Sequence, residues 1–213
     1  MKTSTLLHID SSPLGDASIS RRLSREFVER WQEANPSGKV LTRDLTNSPV
    51  PPIDAGWIAA SFTPEEARTP AQRDLLAISG RLLTELESAD EYVFGLPMHN
   101  FAVPSVLKLW IDQIVRAGKT FAYVDGVPTG LLKNKKATFL IASGGVYGAG
   151  TAMASFNFVE PYLRTIFGFI GVTDVTFLAA GGAAALNYGK IDRDTFLHPH
   201  IETIRTWFQP IAA

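Results

Sequence analysis

The sequence predicts a doubly wound α/β domain over residues 1–213, with a five-stranded parallel sheet and helices on both faces. Two observations lead to this prediction. Short apolar runs alternate along the chain with segments in which apolar residues recur at helical spacing. No internal repeat and no linker interrupts the alternation. A chain of 213 residues is long enough for one such domain with a sizeable core.

The predicted strands are the short apolar runs. They span residues 5–9, 40–45, 92–96, 137–142 and 172–178. The second is the weakest, because polar residues alternate within it. The fourth carries no charge, which indicates burial on both faces. A turn at Asp125-Gly126 predicts a small β excursion outside the main sheet.

The predicted helices follow from apolar residues at intervals of three and four. They span about residues 18–35, 69–88, 104–118, 156–167 and 192–208. In the third helix, Lys108 with Asp112 and Asp112 with Arg116 are charge pairs one turn apart, so we expect both pairs on its outer face.

Residues 46–68 carry no clear element, since three prolines lie near the start of this stretch. Trp57, Ile58 and Phe62 are bulky apolar residues within it. Two interpretations are open. These side chains cover the core of the domain, or they form a subunit contact or the wall of a pocket.

Composition excludes several classes of function. Basic and acidic residues are mixed and the formal net charge is -1, so no basic face for nucleic acid is indicated. The absence of cysteine excludes disulfides and thiol chemistry. The four histidines form no metal-binding pattern with nearby carboxylates. No apolar run approaches the roughly 20 residues that cross a bilayer, and no signal peptide is evident. We expect a cytoplasmic protein without nucleic-acid or membrane partners.

The loop after the first strand is rich in serine, at positions 11, 12, 18 and 20, and lacks a G-x-G-x-x-G fingerprint. A helix begins at or just after Ser18, and its free amides and dipole favour an anion. Serine hydroxyls add donors without charge, which suits a phosphate monoester. In the alternative interpretation, Ser18 is only a helix N-cap and the other serines fill a turn.

Two more loops end the third and fourth strands, at residues 97–101 and 142–145. The carboxyl edge of an open α/β sheet is where ligands bind. Glycines permit close backbone approach, and backbone donors can stabilise the negative charge of a reduced flavin ring. The three loops therefore predict a flavin site that holds the phosphate, the ring edge and the ring end.

Over nearly its whole length the sequence resembles the FMN-dependent NADH-azoreductases, a family of flavodoxin-like NAD(P)H:quinone oxidoreductases. The most discriminating stretch is Met98-His99-Asn100-Phe101 with the helix that follows, up to Thr120-Phe121. The serine loop, Ser143-Gly144-Gly145 and residues 168–175 also match. The sequence departs from common family patterns at His99, often a tyrosine, and in residues 142–145, which often read Ser-Arg-Gly-Gly.

The resemblance implies a homodimer with one noncovalently bound FMN per subunit near the subunit interface. Ser12 and the segment Ser18, Ile19, Ser20 would hold the phosphate. Met98, His99, Asn100 and Phe101 would bound the isoalloxazine ring, and Ala142, Ser143, Gly144 and Gly145 would bind its pyrimidine end. NADH or NADPH would reduce FMN, and a quinone or azo compound would then take the electrons. Because the cofactor carries hydride transfer, no catalytic residue is assigned.

Two rival functions remain open at this point. One is an FMN-binding electron carrier without a substrate pocket, although such carriers tend to be smaller and more acidic. The other is a nucleotide-binding module without flavin. Five aromatic residues either line a substrate pocket or pack in the core. They are Phe121, Tyr123, Tyr147, Phe158 and Tyr162. The sequence does not distinguish NADH from NADPH as donor.

Overall fold

A computed structural model describes residues 3–209. Its strands, in chain order, are β1 (Thr5–Asp10), β2 (Lys39–Asp44), β3 (Glu91–Pro97), β4 (Phe121–Val124), β5 (Val127–Gly130), β6 (Lys136–Ala142) and β7 (Asp174–Ala180). Five of them form a parallel sheet in the order β2-β1-β3-β6-β7, while β4 and β5 form a separate antiparallel hairpin. The predicted sheet and the β excursion are confirmed, with strand ends shifted by one or two residues.

Eight α-helices connect and follow the strands within residues 3–209. They are α1 (Ile19–Ala34), α2 (Ala55–Phe62), α3 (Pro70–Leu75), α4 (Ala77–Ser88), α5 (Ser105–Ile114), α6 (Val159–Ile170), α7 (Ala184–Asn187) and α8 (Arg193–Thr206). Among these residues, no helix is both long and apolar enough to cross a membrane.

Helices cover both faces of the sheet, as predicted. Residues of α1 and α8 share one apolar cluster with Leu6 of β1, and those of α4, α5 and α6 share another with Leu7 and Ile9. This alternation follows from the two-residue period of a strand. Phe139 stacks on Phe94 of the neighbouring strand with ring centroids 4.9 Å apart. The central strands are therefore fully buried, and only their ends and loops reach the surface.

The strand order places a topological switch point between β1 and β3. The chain leaves β1 toward β2 on one side, and leaves β3 toward β6 on the other. The loops that follow β1 and β3 therefore diverge and leave a crevice at the carboxyl edge of the sheet.

The prediction that residues 46–68 carry no element is wrong, because α2 lies there. The carboxylate of Asp54 caps this helix by accepting a hydrogen bond from the amide of Trp57, at 2.7 Å. The prolines that precede Asp54 concealed this cap. The helix predicted from residue 69 begins there with a capping box of Thr69 and Gln72, but it breaks at Leu76 into α3 and α4.

The end of α5 also differs from the prediction. The helix stops at Ile114 rather than near Gly118, so Arg116 is no longer one turn away from Asp112 on the same face. Lys108 and Asp112 form the predicted ion pair, at 2.6 Å. Arg116 instead turns inward and donates to Ser79 Oγ at 3.0 Å. The predicted pair of Asp112 with Arg116 is therefore wrong.

Candidate functional site

Backbone hydrogen bonds join the three predicted loops at one edge of the sheet. The amide of Ser11 donates to the carbonyl of Gly95 at 3.0 Å, and the amide of Met98 donates to the carbonyl of Ala142 at 2.7 Å. The amide of Ser143 donates to the carbonyl of Ala180 at 3.1 Å. Each loop is thus held by the strand beside it, and the loops face one rim.

The four serines of the first loop are almost completely buried, each 1–2% exposed. Ser18 is the N-cap of α1 and accepts a hydrogen bond from the amide of Arg21 at 3.2 Å. Its hydroxyl also lies 3.2 Å from that of Ser20. The N-cap interpretation of Ser18 is therefore right, but it does not account for all the hydrogen-bond donors of the loop. Since one serine donates to the other, one hydroxyl proton of the pair stays available for a ligand.

The first amides of α1 add further donors. Within the described residues, the amides of Ile19 and Ser20 have no hydrogen-bond acceptor. Ser12 Oγ accepts from the amide of Leu14 at 3.4 Å, which leaves its own proton to donate. A helix N-terminus with free amides and hydroxyls attracts an anion. This loop has the chemistry that a phosphate group requires.

Arg21 braces this loop from behind. Its Nε donates to the carbonyl of Ser12 at 2.8 Å, and its two terminal nitrogens donate to the carboxylate of Asp44 at 2.9 and 2.7 Å. Burial alone would raise the pKa of Asp44, but hydrogen bonds from Arg21 and Thr46 hold that pKa well below its usual value. The hydrogen bond to Asp44 raises the pKa of Arg21 in turn. Because its charge is paired, Arg21 positions the loop and leaves the anion to neutral donors.

Arg193 at the start of α8 holds the same loop from the other side. Its guanidinium donates to the carbonyls of Asp16, Ala17 and Ser18 at 2.9, 2.8 and 3.1 Å. These bonds draw the carbonyls away from the N-terminus of α1. The amides and hydroxyls are thereby left as the groups that face a ligand.

A buried polar network lies beneath the loop. Ser24 Oγ donates to Asp10 Oδ1 at 2.8 Å and lies 3.0 Å from His8 Nε2. Gly95 packs against this network so closely that a Cβ there would lie 2.7 Å from Ser24 Oγ and 3.0 Å from the carbonyl oxygen of Ser20. Glycine at this position is therefore a requirement of packing.

The second loop makes a strained turn. Asn100 and Phe101 have φ of 49° and 70°, and the amide and carbonyl of His99 both pair with Ala102 at 3.0 Å. Two central residues with positive φ are typical of a type I′ turn. Positive φ is unusual for a bulky residue such as phenylalanine and costs about 1–3 kcal/mol. The turn leaves the amides of Asn100 and Phe101 without an acceptor among residues 3–209.

Aromatic contacts tie this turn to the loop after β6. The ring of Phe101 lies 5.9 Å from that of Tyr147 and 5.2 Å from that of Phe156. The amide of Phe158 donates to the carbonyl of Phe101 at 3.2 Å. These contacts offset the strain of the turn. They also place it beside residues 142–145, which follow β6 and are called the glycine segment below.

The glycine segment presents amides rather than carbonyls. The carbonyls of Ser143, Gly144 and Gly145 accept hydrogen bonds at 3.0–3.1 Å from residues 182–184. The amides of Gly144 and Gly145 donate to no group in the described part of the chain. Tyr147 folds over Gly145, where a Cβ would lie 3.0 Å from its ring. The segment thus offers two backbone donors at the rim.

The predicted site residues all lie at this rim, but with different capacities. His99 is exposed, and its amide is already bound to Ala102. Ala142 is 8% exposed and holds Met98 through its carbonyl. The amides of Met98 and His99 are therefore already bonded, so these two residues shape the second loop and offer no free backbone donor. That the rim binds a cofactor remains a prediction at this point.

Sequence reasoning missed the residues that support the loops, namely Asp10, Arg21, Gly95 and Arg193. Only Gly95 carried a signal, as a glycine inside a buried strand. The bonds of Arg193 cross more than 170 positions of the chain, so no local pattern could reveal them.

The five predicted aromatic residues do not line one pocket. Tyr147 lies at the rim, whereas Phe121, Tyr123 and Tyr162 line a cleft of about 560 Å³ with α2. Phe158 and Tyr162 line a neighbouring cleft of about 520 Å³. Burial raises the pKa of Tyr162 to about 12, so its hydroxyl stays protonated at neutral pH.

The two interpretations of the apolar residues in α2 divide between its faces. Trp57 is 7% exposed and donates to Gln113 Oε1 at 2.9 Å, so it covers the core. Ile58 and Phe62 are 44% and 77% exposed and line the larger cleft. They fit the interpretation as a pocket wall or subunit contact.

Comparison with known proteins identifies close relatives. The model of the Flavodoxin-like fold family matches residues 4–205. An FMN-dependent NADH:quinone oxidoreductase of Acidobacterium capsulatum is 55% identical over 201 residues, which cover 94% of this chain and 97% of that protein. FMN-dependent NADH:quinone oxidoreductase 3 of Burkholderia lata is 52% identical over 203 residues, covering 95% and 98%.

Solved structures agree with the sequence relatives. An azoreductase from Bacillus anthracis superimposes with a TM-score of 0.86 at 26% identity, covering 97% of this chain and 99% of the other. An FMN-dependent NADH-azoreductase from Bacillus anthracis in complex with FMN gives a TM-score of 0.84 at 27% identity, covering 96% and 98%.

Proposed function

This chain belongs to the flavodoxin-like family of FMN-dependent NADH:quinone oxidoreductases and azoreductases, and from that premise we propose that it reduces quinones and aromatic azo compounds with electrons from NADH or NADPH, through bound FMN. One observation supports the proposal above all. Amides without acceptors converge on one rim from three loops, at residues 19–20, 100–101 and 144–145. This donor set has no other use within the described chain and fits a phosphorylated, electron-accepting ring.

The serine loop would hold the FMN phosphate. The hydroxyls of Ser12, Ser18 and Ser20 and the amides of Ile19 and Ser20 supply neutral donors, and the dipole of α1 adds partial positive charge. Arg21 and Arg193 position these groups without facing the ligand. Preorganised donors bind with a small loss of conformational entropy, which favours retention of a noncovalent cofactor.

Met98 to Phe101 and Ala142 to Gly145 would bound the ring. When bound there, FMN would supply the redox chemistry, namely hydride transfer from a nicotinamide and electron transfer to an acceptor. The amides of Gly144 and Gly145, which have no acceptor in the described chain, would act as fixed dipoles that stabilise negative charge at the ring end. His99 and Tyr147 stand at the rim but are not required as acid or base, because water can supply protons.

We extend the proposal to a homodimer. The enclosed space between Met98 and Tyr147 is only about 80 Å³, so the ring of a flavin would lie on the open outer face of the loops. Exposed apolar side chains flank that region, including Phe101, Val146 and Phe158. A second subunit would cover them and complete an apolar pocket for an aromatic acceptor. A cytoplasmic location also remains our prediction.

An absorption spectrum before and after anaerobic addition of NADH tests the first half of the proposal. We expect a yellow protein with a flavin band that bleaches on addition. Turnover of NADH with menadione or methyl red tests the second half. Bleaching without reduction of any acceptor would indicate an electron carrier, and a colourless protein that binds no added FMN would reject the flavin site.

A pair of arginine variants tests the position of the site. Arg193→Gln removes three bonds to loop carbonyls, and we expect about tenfold weaker FMN binding in a fluorescence titration. Arg25→Gln is the matched control, since Arg25 contacts only the exposed side chain of Asp16 in the same loop. Equal effects of both variants would contradict the assignment of the loop.

A further inference from the structure

A second polar cleft lies apart from the cofactor rim, between α3, α4 and the turn after α5. Its volume is about 330 Å³. Four of its lining side chains are cationic and two are carboxylates, Glu65 and Glu87. The cationic residues are Arg68, Arg73, Arg116 and Lys119. None of the predicted cofactor residues lines this cleft, and the proposed function leaves it unused.

Arg116 is the deepest of these cations. The residue is 5% exposed, its Nη1 donates to Ser79 Oγ at 3.0 Å, and its guanidinium carbon lies 5.7 Å from the ring centroid of Trp57. Its Nε is buried without a hydrogen-bond partner in the described chain. Burial lowers the pKa of Arg116, the nearby charge of Arg68 lowers it further, and the charge of Glu65 opposes this shift without reversing it.

A buried guanidinium normally pairs with a carboxylate, because an unpaired charge costs several kcal/mol to bury. Within residues 3–209, Arg116 forms no ion pair. The cation–π contact with Trp57 and the hydroxyl of Ser79 compensate it only in part. The side chain therefore retains capacity for an anionic partner.

The other cations are arranged around the mouth of the cleft. Arg68 is held in place by bonds from its Nε to the carbonyls of Ala60 and Thr63, at 3.2 and 3.0 Å. Lys119 lies 3.2 Å from Glu65, whose side chain is 72% exposed. Arg73 is exposed and forms no ion pair in the described residues. The cleft thus carries an excess of two positive charges.

We propose that this cleft binds a phosphate-type dianion, either free or as the terminal group of a small phosphorylated molecule. Guanidinium groups present paired donors that match phosphate oxygens, and a dianion matches the excess charge. Leu76 and Leu83 form an apolar wall beside the cations. That wall gives room for an organic substituent.

Calorimetric titration of the FMN-saturated protein tests this site, because saturation occupies the other phosphate-binding loop. The probes are inorganic phosphate and glucose 6-phosphate, at an ionic strength held constant with chloride. We expect binding that weakens about tenfold in Arg116→Met and in Arg73→Gln. Arg73 is exposed, so its variant keeps the test valid if loss of Arg116 prevents folding.

Arg81→Gln is the matched control, since Arg81 is an exposed arginine of α4 outside the cleft. The proposal holds if both phosphates bind and binding to the control variant is unchanged. Tighter binding of glucose 6-phosphate than of inorganic phosphate would identify a phosphorylated molecule as the ligand. Equal binding of the two probes would identify the free anion. Absence of binding, or equal weakening in Arg73→Gln and Arg81→Gln, would overturn it. Neither result bears on the flavin, which is followed by its own absorption.

Discussion

The serine loop and the two loops proposed to bound the flavin ring lie on the same rim but are built differently. The latter, residues 97–101 and 142–145, are called the ring loops below. The serines are 1–2% exposed and are held by Arg21 and Arg193 from two sides. The ring loops are open, with His99, Asn100 and Gly144 exposed. The side proposed for the phosphate is thus built by this chain alone, whereas no part of residues 3–209 covers the side proposed for the ring.

Under the proposed function, the phosphate side determines the affinity for the cofactor, and the ring side determines which substrates can reach it. A rigid set of buried donors suits the phosphate, which is the constant part of the cofactor. An open rim suits the ring, because a nicotinamide and an acceptor must both reach it. We therefore expect substitutions on the phosphate side to cost more stability than substitutions on the ring side.

Gly95→Ala gives the largest expected effect. The added methyl group would overlap the buried network of Asp10 and Ser24 beneath the serine loop. We expect the free energy of unfolding to fall by about 3 kcal/mol, measured by urea denaturation. The control is Gly168→Ala in α6, where a Cβ meets no atom within 4 Å and alanine favours the helix. Equal stability of the two variants would show that the network is not tightly packed.

Asp44→Asn tests the outer brace of the serine loop. We expect a loss of about 2 kcal/mol at pH 7, since Arg21 loses its charged partner. Because folding lowers the pKa of Asp44, its contribution is complete above about pH 4 and declines as the pH falls further. Denaturation curves recorded at pH 7 and at pH 3 measure this dependence. The difference in free energy of unfolding between the variant and the wild type should be smaller at pH 3 than at pH 7.

The matched control is Asp16→Asn, on the exposed surface of the same loop, where we expect little change at either pH. A constant difference between Asp44→Asn and wild type at both pH values would mean that the loss has another origin than the charge of the carboxylate.

Asn100→Val gives the smallest expected effect, on the ring side. A β-branched residue at positive φ should cost about 1 kcal/mol, whereas Asn100→Gly should cost nothing, because glycine accepts this conformation. Thermal unfolding of the three proteins would measure the order. A loss as large as that of Gly95→Ala would remove the distinction between the two sides of the rim.

The candidate site was predicted from sequence where its signals are local. Ser18 as an N-cap, the turn at residues 98–101 and the glycines after β6 are short patterns, and each lies where it was expected. The helix α2 was missed because prolines obscured its Asp54 cap. The inward turn of Arg116 was missed because α5 ends at Ile114, before Arg116, instead of near Gly118, so the side chain of Arg116 does not follow the helical pattern.

The sequence by itself determined the strands, most of the helices, and the type of residue at each loop, because these depend on periodicity and on turn chemistry within a few residues. Tertiary structure alone decided which groups remain free to bind. Arg193 donates hydrogen bonds to the carbonyls of the serine loop, and the lack of a side chain at Gly95 leaves room for Asp10. The amides of residues 182–184 donate to the carbonyls of the glycine segment. Hydrogen bonds between distant segments pair some backbone groups and leave other donors unpaired. A local sequence pattern cannot predict which donors remain unpaired, because their partners lie far away along the chain.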